Sequence, residues 1–347
     1  MKYFVCIWIV LLSFSCSDDK EKVKPSMPYS SVEIQTIYED SVSIRAIEII
    51  GNSLAYAGSR GIFGNIDINS GKIRESVQEY DSILPEFRAV AHTASDFFML
   101  SVASPALLYK TGSDGQMQLV YIEEDESVFY DAMTFWNDQE GIAIGDTLDG
   151  CLSIIITRDG GNTWNKIACS DLPKGIEGEG AFAASNTNIA VVGDKTWIAT
   201  TRSRIYYSAD KGNTWEIKDT PMVKDGPTQG IYSIAFYDEN LGVAIGGDYT
   251  EPERNTANKA ITADGGKTWQ LIADGKDPAY KSCIQFIPNS EGNGLAAIGF
   301  TGLSYSEDKG STWQKLSDDA SFYTIRFLND STAYAAGKNK IAKLTFR

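Results

Sequence analysis

The strongest constraint in this 347-residue chain is an eight-residue pattern that occurs four times. Thr157-Arg-Asp159-Gly-Gly161-Asn-Thr163-Trp164, Ser208-Ala-Asp210-Lys-Gly212-Asn-Thr214-Trp215, Thr262-Ala-Asp264-Gly-Gly266-Lys-Thr268-Trp269 and Ser306-Glu-Asp308-Lys-Gly310-Ser-Thr312-Trp313 share the form [S/T]-x-D-x-G-x-T-W. The copies start at residues 157, 208, 262 and 306, in steps of 51, 54 and 44. Repeats of about 40–50 residues are the length of one propeller blade, a four-stranded sheet that buries its faces only against its neighbours.

A second element precedes each copy: a strand, a polar turn and a second strand ending in Gly. Phe135–Gly145 and Phe236–Gly246 superpose without a gap, and Phe327–Gly337 keeps the same register. Weaker forms lie at Ala183–Gly193, Phe286–Gly299, Ile49–Gly58 and His92–Ser101. Seven first strands are therefore expected, near residues 43, 86, 129, 180, 231, 280 and 322. Unit three sets the order: strands near 130–136, 141–146, 151–157 and 163–169, with alternation such as Ser153-Ile-Ile-Ile-Thr that suits sheet. The seventh unit ends after three strands, and Val32–Tyr38 is a spare strand ahead of the first. The expectation is an all-β, seven-bladed β-propeller with four-stranded blades, closed by the N-terminal strand pairing into the C-terminal blade.

The repeated turn has a structural chemistry. Asp accepts hydrogen bonds from its own turn, Gly supplies a positive φ, Thr starts a strand and Trp fills a wedge between units. Asp159, Trp164, Asp210, Trp215, Asp264, Trp269, Asp308 and Trp313 are read as scaffolding. A calcium loop needs several alternating carboxylates, and each turn has one. The pattern resembles the Asp-box, or BNR, repeat of sialidases, sortilin-type receptors and photosystem II assembly-factor propellers. The preceding Phe–x–Asp–…–Gly–x–Ala–x–Gly element is most similar to the assembly-factor group and its bacterial relatives. That resemblance covers residues 31–347 and implies a propeller; by itself it implies neither catalysis nor binding, since the repeat serves both.

Lys2 and the apolar run Phe4–Leu12 are too short to span a membrane and read as a secretion signal. Leu12-Ser-Phe-Ser-Cys16 resembles a bacterial lipoprotein signal, with its aliphatic residue one position further from the Cys than usual. Residues 1–15 are then the signal and Cys16 the lipidated anchor. Residues 16–30 form a flexible tether, followed by one propeller domain at 31–347. Ser17-Asp-Asp-Lys-Glu21 resembles the export tag of Bacteroidota surface lipoproteins. The expected place is the outer membrane, surface-exposed, with the periplasmic face as the alternative.

Charge narrows the function. With 31 Lys+Arg against 46 Asp+Glu the net charge is −15, unsuited to general nucleic-acid binding. The one histidine, His92, cannot build a His₂ or His₃ metal site, and it reads as a packed ring. No metal and no cofactor is expected. Gly292-Asn-Gly294-Leu-Ala-Ala297 fits a dinucleotide fingerprint by letter, yet it lies in a β turn where no helix follows. A sialidase would need an arginine triad, a Tyr–Glu pair and an Arg-Ile-Pro segment, and Glu86-Phe-Arg88-Ala-Val offers no Pro.

One feature suggests a site. Arg45 and Arg88 fall at equivalent places on the first strands of units one and two, and Arg326 lies about three positions further along in unit seven. Asp131 and Glu179 occupy the comparable places in units three and four. Innermost strands line a central channel, so these residues are expected at its mouth. Arginine's planar fork suits a carboxylate or a peptide C-terminus; internal Arg–carboxylate pairing is the competing reading. Trp136 and Tyr237, just beyond two first strands, are read as rim packing ahead of exposed stacking groups.

Of five cysteines, Cys6 leaves with the signal. Cys151 and Cys169 stand nearly opposite across the hairpin centred on Gly160, within disulfide reach, and Cys283 is a buried thiol. The expected function is a non-catalytic envelope lipoprotein that binds a protein or peptide partner and is scaffold- or assembly-factor-like. Its alternative is surface glycan binding or a sialidase-like glycoside hydrolase.

Overall fold

The computed structural model describes Met1 and residues 29–112 and 114–347. The proposed signal, Cys16 and most of the tether lie outside the described residues. Within them the chain forms seven antiparallel sheets. Blades 1 to 6 start at Ala46, Phe87, Tyr130, Ile189, Gln229 and Cys283, each with four strands in chain order. Blade 7 combines Phe322–Phe327, the run Thr332–Phe346 and the N-terminal strand Val32–Ser43. Ala333–Gly337 pairs with Phe322–Phe327, whereas Lys338–Phe346 pairs with Val32–Ser43. Asn339 has φ 64, and the Phe346 N–H reaches the Ser331 carbonyl at 2.8 Å, so the run doubles back on itself. It supplies two strands and the N-terminal strand a third. The first strand of each blade packs on the next, and blade 7 packs on blade 1. The ring is closed.

First-to-second and third-to-fourth turns share one end of every blade, called here the turn face. Blade-to-blade connections share the other, the connection face. Most buried apolar clusters span two adjacent blades, so the core is a set of seams. Trp164, Trp215, Trp269 and Trp313 each join the cluster shared with the preceding blade. The four Asp turns hold one geometry. In the third, the Thr268 N–H and hydroxyl donate to the two Asp264 oxygens at 2.9 and 2.7 Å, and the Gly266 N–H donates to Thr262 Oγ1 at 2.9 Å. The Thr268 hydroxyl first, then its N–H, push the Asp264 pKa down to about 2.

Two expectations are corrected. The fourth strand of blade 3 covers only Asn165–Lys166, because the chain leaves the sheet and turns at Cys169–Asp171. The first strand of blade 4 starts at Ile189 instead of near 180. Gly193, taken as the end of a second strand, makes the first-to-second turn with φ 58. The residues ahead of it, 182–188, form no strand; they enter the channel and cross it. The Asn186 side chain accepts from the Met133 N–H of blade 3 and donates to the Val90 carbonyl of blade 2. Ser185 Oγ reaches the Ser282 carbonyl of blade 6 at 2.6 Å, Thr187 Oγ1 lies 2.7 Å from Ser233 Oγ of blade 5, and Thr324 of blade 7 donates to the Ser185 carbonyl. Ser185, Asn186 and Thr187 carry polar side chains that each bond other blades, and Asn188 donates back to the Phe182 carbonyl of the same segment.

Candidate functional site

The inner strands carry a shared irregularity that builds the connection-face mouth. In blades 2, 3, 5 and 7 the ladder between first and second strands skips one residue, and the skipped residues are Arg88, Asp131, Tyr232 and Tyr323. Such a bulge re-aims a side chain at a sheet end. Arg45 stands at the same point of blade 1. The repeat's recurring Gly packs against this bulge. A Cβ on Gly145, Gly246 or Gly337 would come within 2.2, 2.0 or 1.9 Å of a backbone carbonyl oxygen.

A cavity of about 280 Å³ opens at this mouth, bounded by Arg45, Arg88, Phe182, Tyr232, Tyr280 and Phe300, with Tyr249 at its lip. Five rings form an arc around it. Phe182 stacks on Tyr232 at 3.7 Å, Tyr232 meets Tyr280 edge-on at 4.8 Å, Tyr280 lies 5.3 Å from Phe300, and Phe300 lies 5.8 Å from Tyr323. The Arg45 guanidinium closes the arc, 4.3 Å above the Tyr323 ring.

Arg45 is unusual. Among the described residues no carboxylate lies within 4.0 Å of it, and its buried Nε has no hydrogen-bond partner. Burial, then the nearby Arg88 charge, lower its pKa. Arg88 is held differently: its Nε and Nη2 donate to Glu86 Oε1 at 2.8 and 2.6 Å.

The remaining predicted residues do not line this mouth. Arg326 lies on the turn face, its Nε 3.4 Å from Glu48 and its Nη1 on Thr324 and the Ile325 carbonyl. It borders a separate cavity of about 330 Å³ with Glu48, Asn186 and Gln285. Three further positions along a strand carried it past the 182–188 plug. Glu179 precedes the true first strand of blade 4 by ten residues. It is an internal carboxylate, bound by Arg204 and by the hydroxyls of Thr200 and Tyr206. The expected acidic half of the mouth is therefore buried instead of displayed. Asp131 does sit at the mouth layer but faces inward, fully buried, with neither oxygen bonded to a donor. Its carboxyl abuts that of Asp146. Burial first and that neighbour second push the Asp131 pKa well up, and burial raises Asp146 to about 6 against the pull of the Ala181 N–H at 2.9 Å.

His92 is half-exposed on the turn face, 4.0 Å from Glu48 and 3.1 Å from the Thr93 carbonyl, instead of packed. Trp136 donates to Thr196 Oγ1 at 2.8 Å and lies under Arg158, within the rim. Tyr237 is 45% exposed near Phe286. Gly292–Ala297 leads from a turn into the strand Leu295–Gly299. Tyr–Glu hydrogen bonds exist, Tyr38 and Tyr56 on Glu75, Tyr121 and Tyr130 on Glu123. They lie in seams between blades, where burial raises the pKa of all four phenols. Cys151 and Cys169 are joined by a disulfide with Cα atoms 5.6 Å apart, and Cys283 is a buried thiol. No cluster of three or more His, Cys, Asp or Glu with metal-binding geometry occurs among the described residues.

The aromatic arc was missed. Tyr232 and Tyr323 share the bulge position of Arg88 and were visible to a full alignment of the first strands. Phe182 and Tyr280 lie in blade-to-blade connections and Phe300 in the second-to-third turn of blade 6, outside the strands that carry the period.

No protein-family model and no curated protein matches the sequence. Solved structures do. A structure described as YCF48 bound to D1 peptide superposes with a TM-score of 0.66 at 13% identity, covering 93% of this chain and 98% of that one. YCF48 from Cyanidioschyzon merolae gives 0.62 at 12%, covering 92% and 99%. The WD40 repeats of RRP9 give 0.63 at 10%, covering 90% and 97%. At these identities the likeness is one of fold, a β-propeller.

Proposed function

We propose that this chain is a non-catalytic propeller scaffold that holds a protein or peptide partner at its connection-face mouth. The observation that carries this reading is Arg45, a largely buried cation with no internal carboxylate beside an open cavity. A buried charge is costly unless something pairs it, so a partner's anion is the missing group. A propeller of similar fold is known with a peptide bound, which supports a peptide-binding use of the architecture. The resemblance of Leu12–Cys16 to a lipoprotein signal supports a lipid tether at Cys16 and an outer-membrane location, and the assembly-factor resemblance of the repeats supports a scaffold role. The glycan alternative calls for an exposed aromatic platform. Tyr232 and Tyr280 are almost fully buried and Tyr249 at the lip is the one largely exposed ring lining the cavity, so the mouth displays a single ring instead of a platform, which favours the peptide.

The test is crosslinking in the native membrane, with a photoreactive residue at Tyr249 on the lip or at Leu328 on the opposite face. The expected result is one protein captured from position 249 and lost in the Arg45→Gln, Arg88→Gln variant. Equal capture from both positions, or capture indifferent to the arginines, overturns the reading.

A further inference from the structure

Resting on that reading, the geometry points to a specific ligand chemistry at the mouth: a carboxylate attached next to an aromatic side chain. The cavity offers two kinds of wall. Arg45 and Arg88 supply guanidinium groups on blades 1 and 2, and the partly exposed rings of Phe182 and Phe300 supply aromatic surface in the same cavity. At about 280 Å³ it falls just below the roughly 300–1,000 Å³ of small-molecule sites. It accommodates one ring-sized group with its acid and excludes a folded surface.

The orientation follows from what each wall lacks. Arg45 is fixed over Tyr323 with its Nε buried and unpartnered; its terminal nitrogens, which make no hydrogen bond among the described residues, are the donors left to the cavity that it lines. A carboxylate there forms charge-assisted bonds that the protein does not make for itself. Arg88 already holds Glu86 through Nε and Nη2. Glu86 is partly exposed, with 44% of its side chain accessible, and is free to swing aside for an incoming acid. The ring wall is rigid: Phe182 belongs to the plug and stacks on Tyr232 within 4° of parallel, and the plug is bonded to blades 2, 3, 5, 6 and 7. An aromatic side chain gains edge-to-face and stacked contacts from it beyond its buried area. An aliphatic acid satisfies the arginines alone.

Two sources carry this chemistry, the free C-terminal residue of a polypeptide and a free aromatic acid. Calorimetry on the purified protein with four probes separates them: N-acetylphenylalanine, N-acetyl-Ala-Ala-Phe, the same tripeptide as its C-terminal amide, and N-acetyl-Ala-Ala-Leu. The free-acid Phe peptide is expected to bind about tenfold or more tightly than its amide, and several-fold more tightly than the Leu peptide. A tripeptide stronger than N-acetylphenylalanine marks a chain terminus; the reverse marks a small acid. Arg45→Gln and Phe182→Leu, each checked by its unfolding transition, are expected to remove the preference for the acid and for the ring respectively. An amide equal to the acid, or Leu equal to Phe, overturns the proposal. If no probe binds while position 249 still captures a protein, this ligand chemistry is wrong and the scaffold reading stands. Probe binding without protein capture leaves the ligand chemistry standing and removes the scaffold reading.

Discussion

Between blades 2 and 3 the Trp164 indole meets Phe98 and Phe135 edge-on, with centroids at 6.3 and 5.8 Å. Between blades 1 and 2 the corresponding turn carries Met117 opposite Thr111, the place that Trp164 takes opposite Thr157, and the seam opens into a groove of about 500 Å³. The strands on either side are alike; the wedge differs. Blades 3 to 6 have the Asp turn and its Trp. Blades 7, 1 and 2 do without them, and they contain the ring closure and both mouth arginines. Six exposed apolar residues, Ile73, Val77, Ile83, Leu84, Leu119 and Ile122, also lie in blades 1 and 2 and the connection after blade 1. The comparison teaches that the regular half of the ring provides rigidity, whereas the irregular half carries the cationic side of the site.

The comparison breaks most visibly at a wedge. Trp269→Ala removes a buried indole shared by blades 4 and 5 and is expected to cost about 3–5 kcal/mol in urea unfolding. Met117→Ala, in the seam with no indole, should cost on the order of 1 kcal/mol. Equal costs would show that the wedge is not what distinguishes the halves. Reduction of Cys151–Cys169, which closes a separation of 18 residues, is expected to remove about 3 kcal/mol. Intact mass with and without reductant checks the bond, and hydrogen exchange should place the loosening in blade 3. Asp264→Ala takes away the acceptor of three bonds and should cost about 2 kcal/mol; a change within error would make that turn dispensable.

A pH effect sharpens the contrast on the rigid side. Lys281 is almost fully buried and its Nζ donates to the Gly302 carbonyl at 2.7 Å. Burial, then the Lys315 charge, push its pKa down to about 7. The unfolded lysine titrates near the ordinary 10.5. The stability that its neutral form contributes above that value is therefore lost as pH falls toward 7, and levels off below. Lys281→Met should flatten the slope of unfolding free energy between pH 7 and 10. An unchanged slope would assign it to another group.

The parts of this fold with a period were legible. Trp164 and its three counterparts announced the blades, and the spare strand Val32–Tyr38 announced the closure, because an unpaired strand at each end has one economical solution. Arg45 and Arg88 were found because register fixes which residues share a layer. The plug was not, since Ser185-Asn-Thr-Asn188 has the composition of an ordinary loop and only tertiary bonds distinguish it. Arg326 and Glu179 failed for one reason: a shift along or ahead of a strand moves a side chain to another face or into a seam, and spacing alone does not fix the strand's first residue.

The most direct measurement is the unfolding free energy of Arg45→Met beside that of the wild type. An arginine kept for a partner is a burden on the unliganded fold, so the variant is expected to be more stable by about 1 kcal/mol while losing capture at position 249. A loss of about 2 kcal/mol or more, with capture retained, would show that Arg45 holds the ring together and that the mouth is not a binding site.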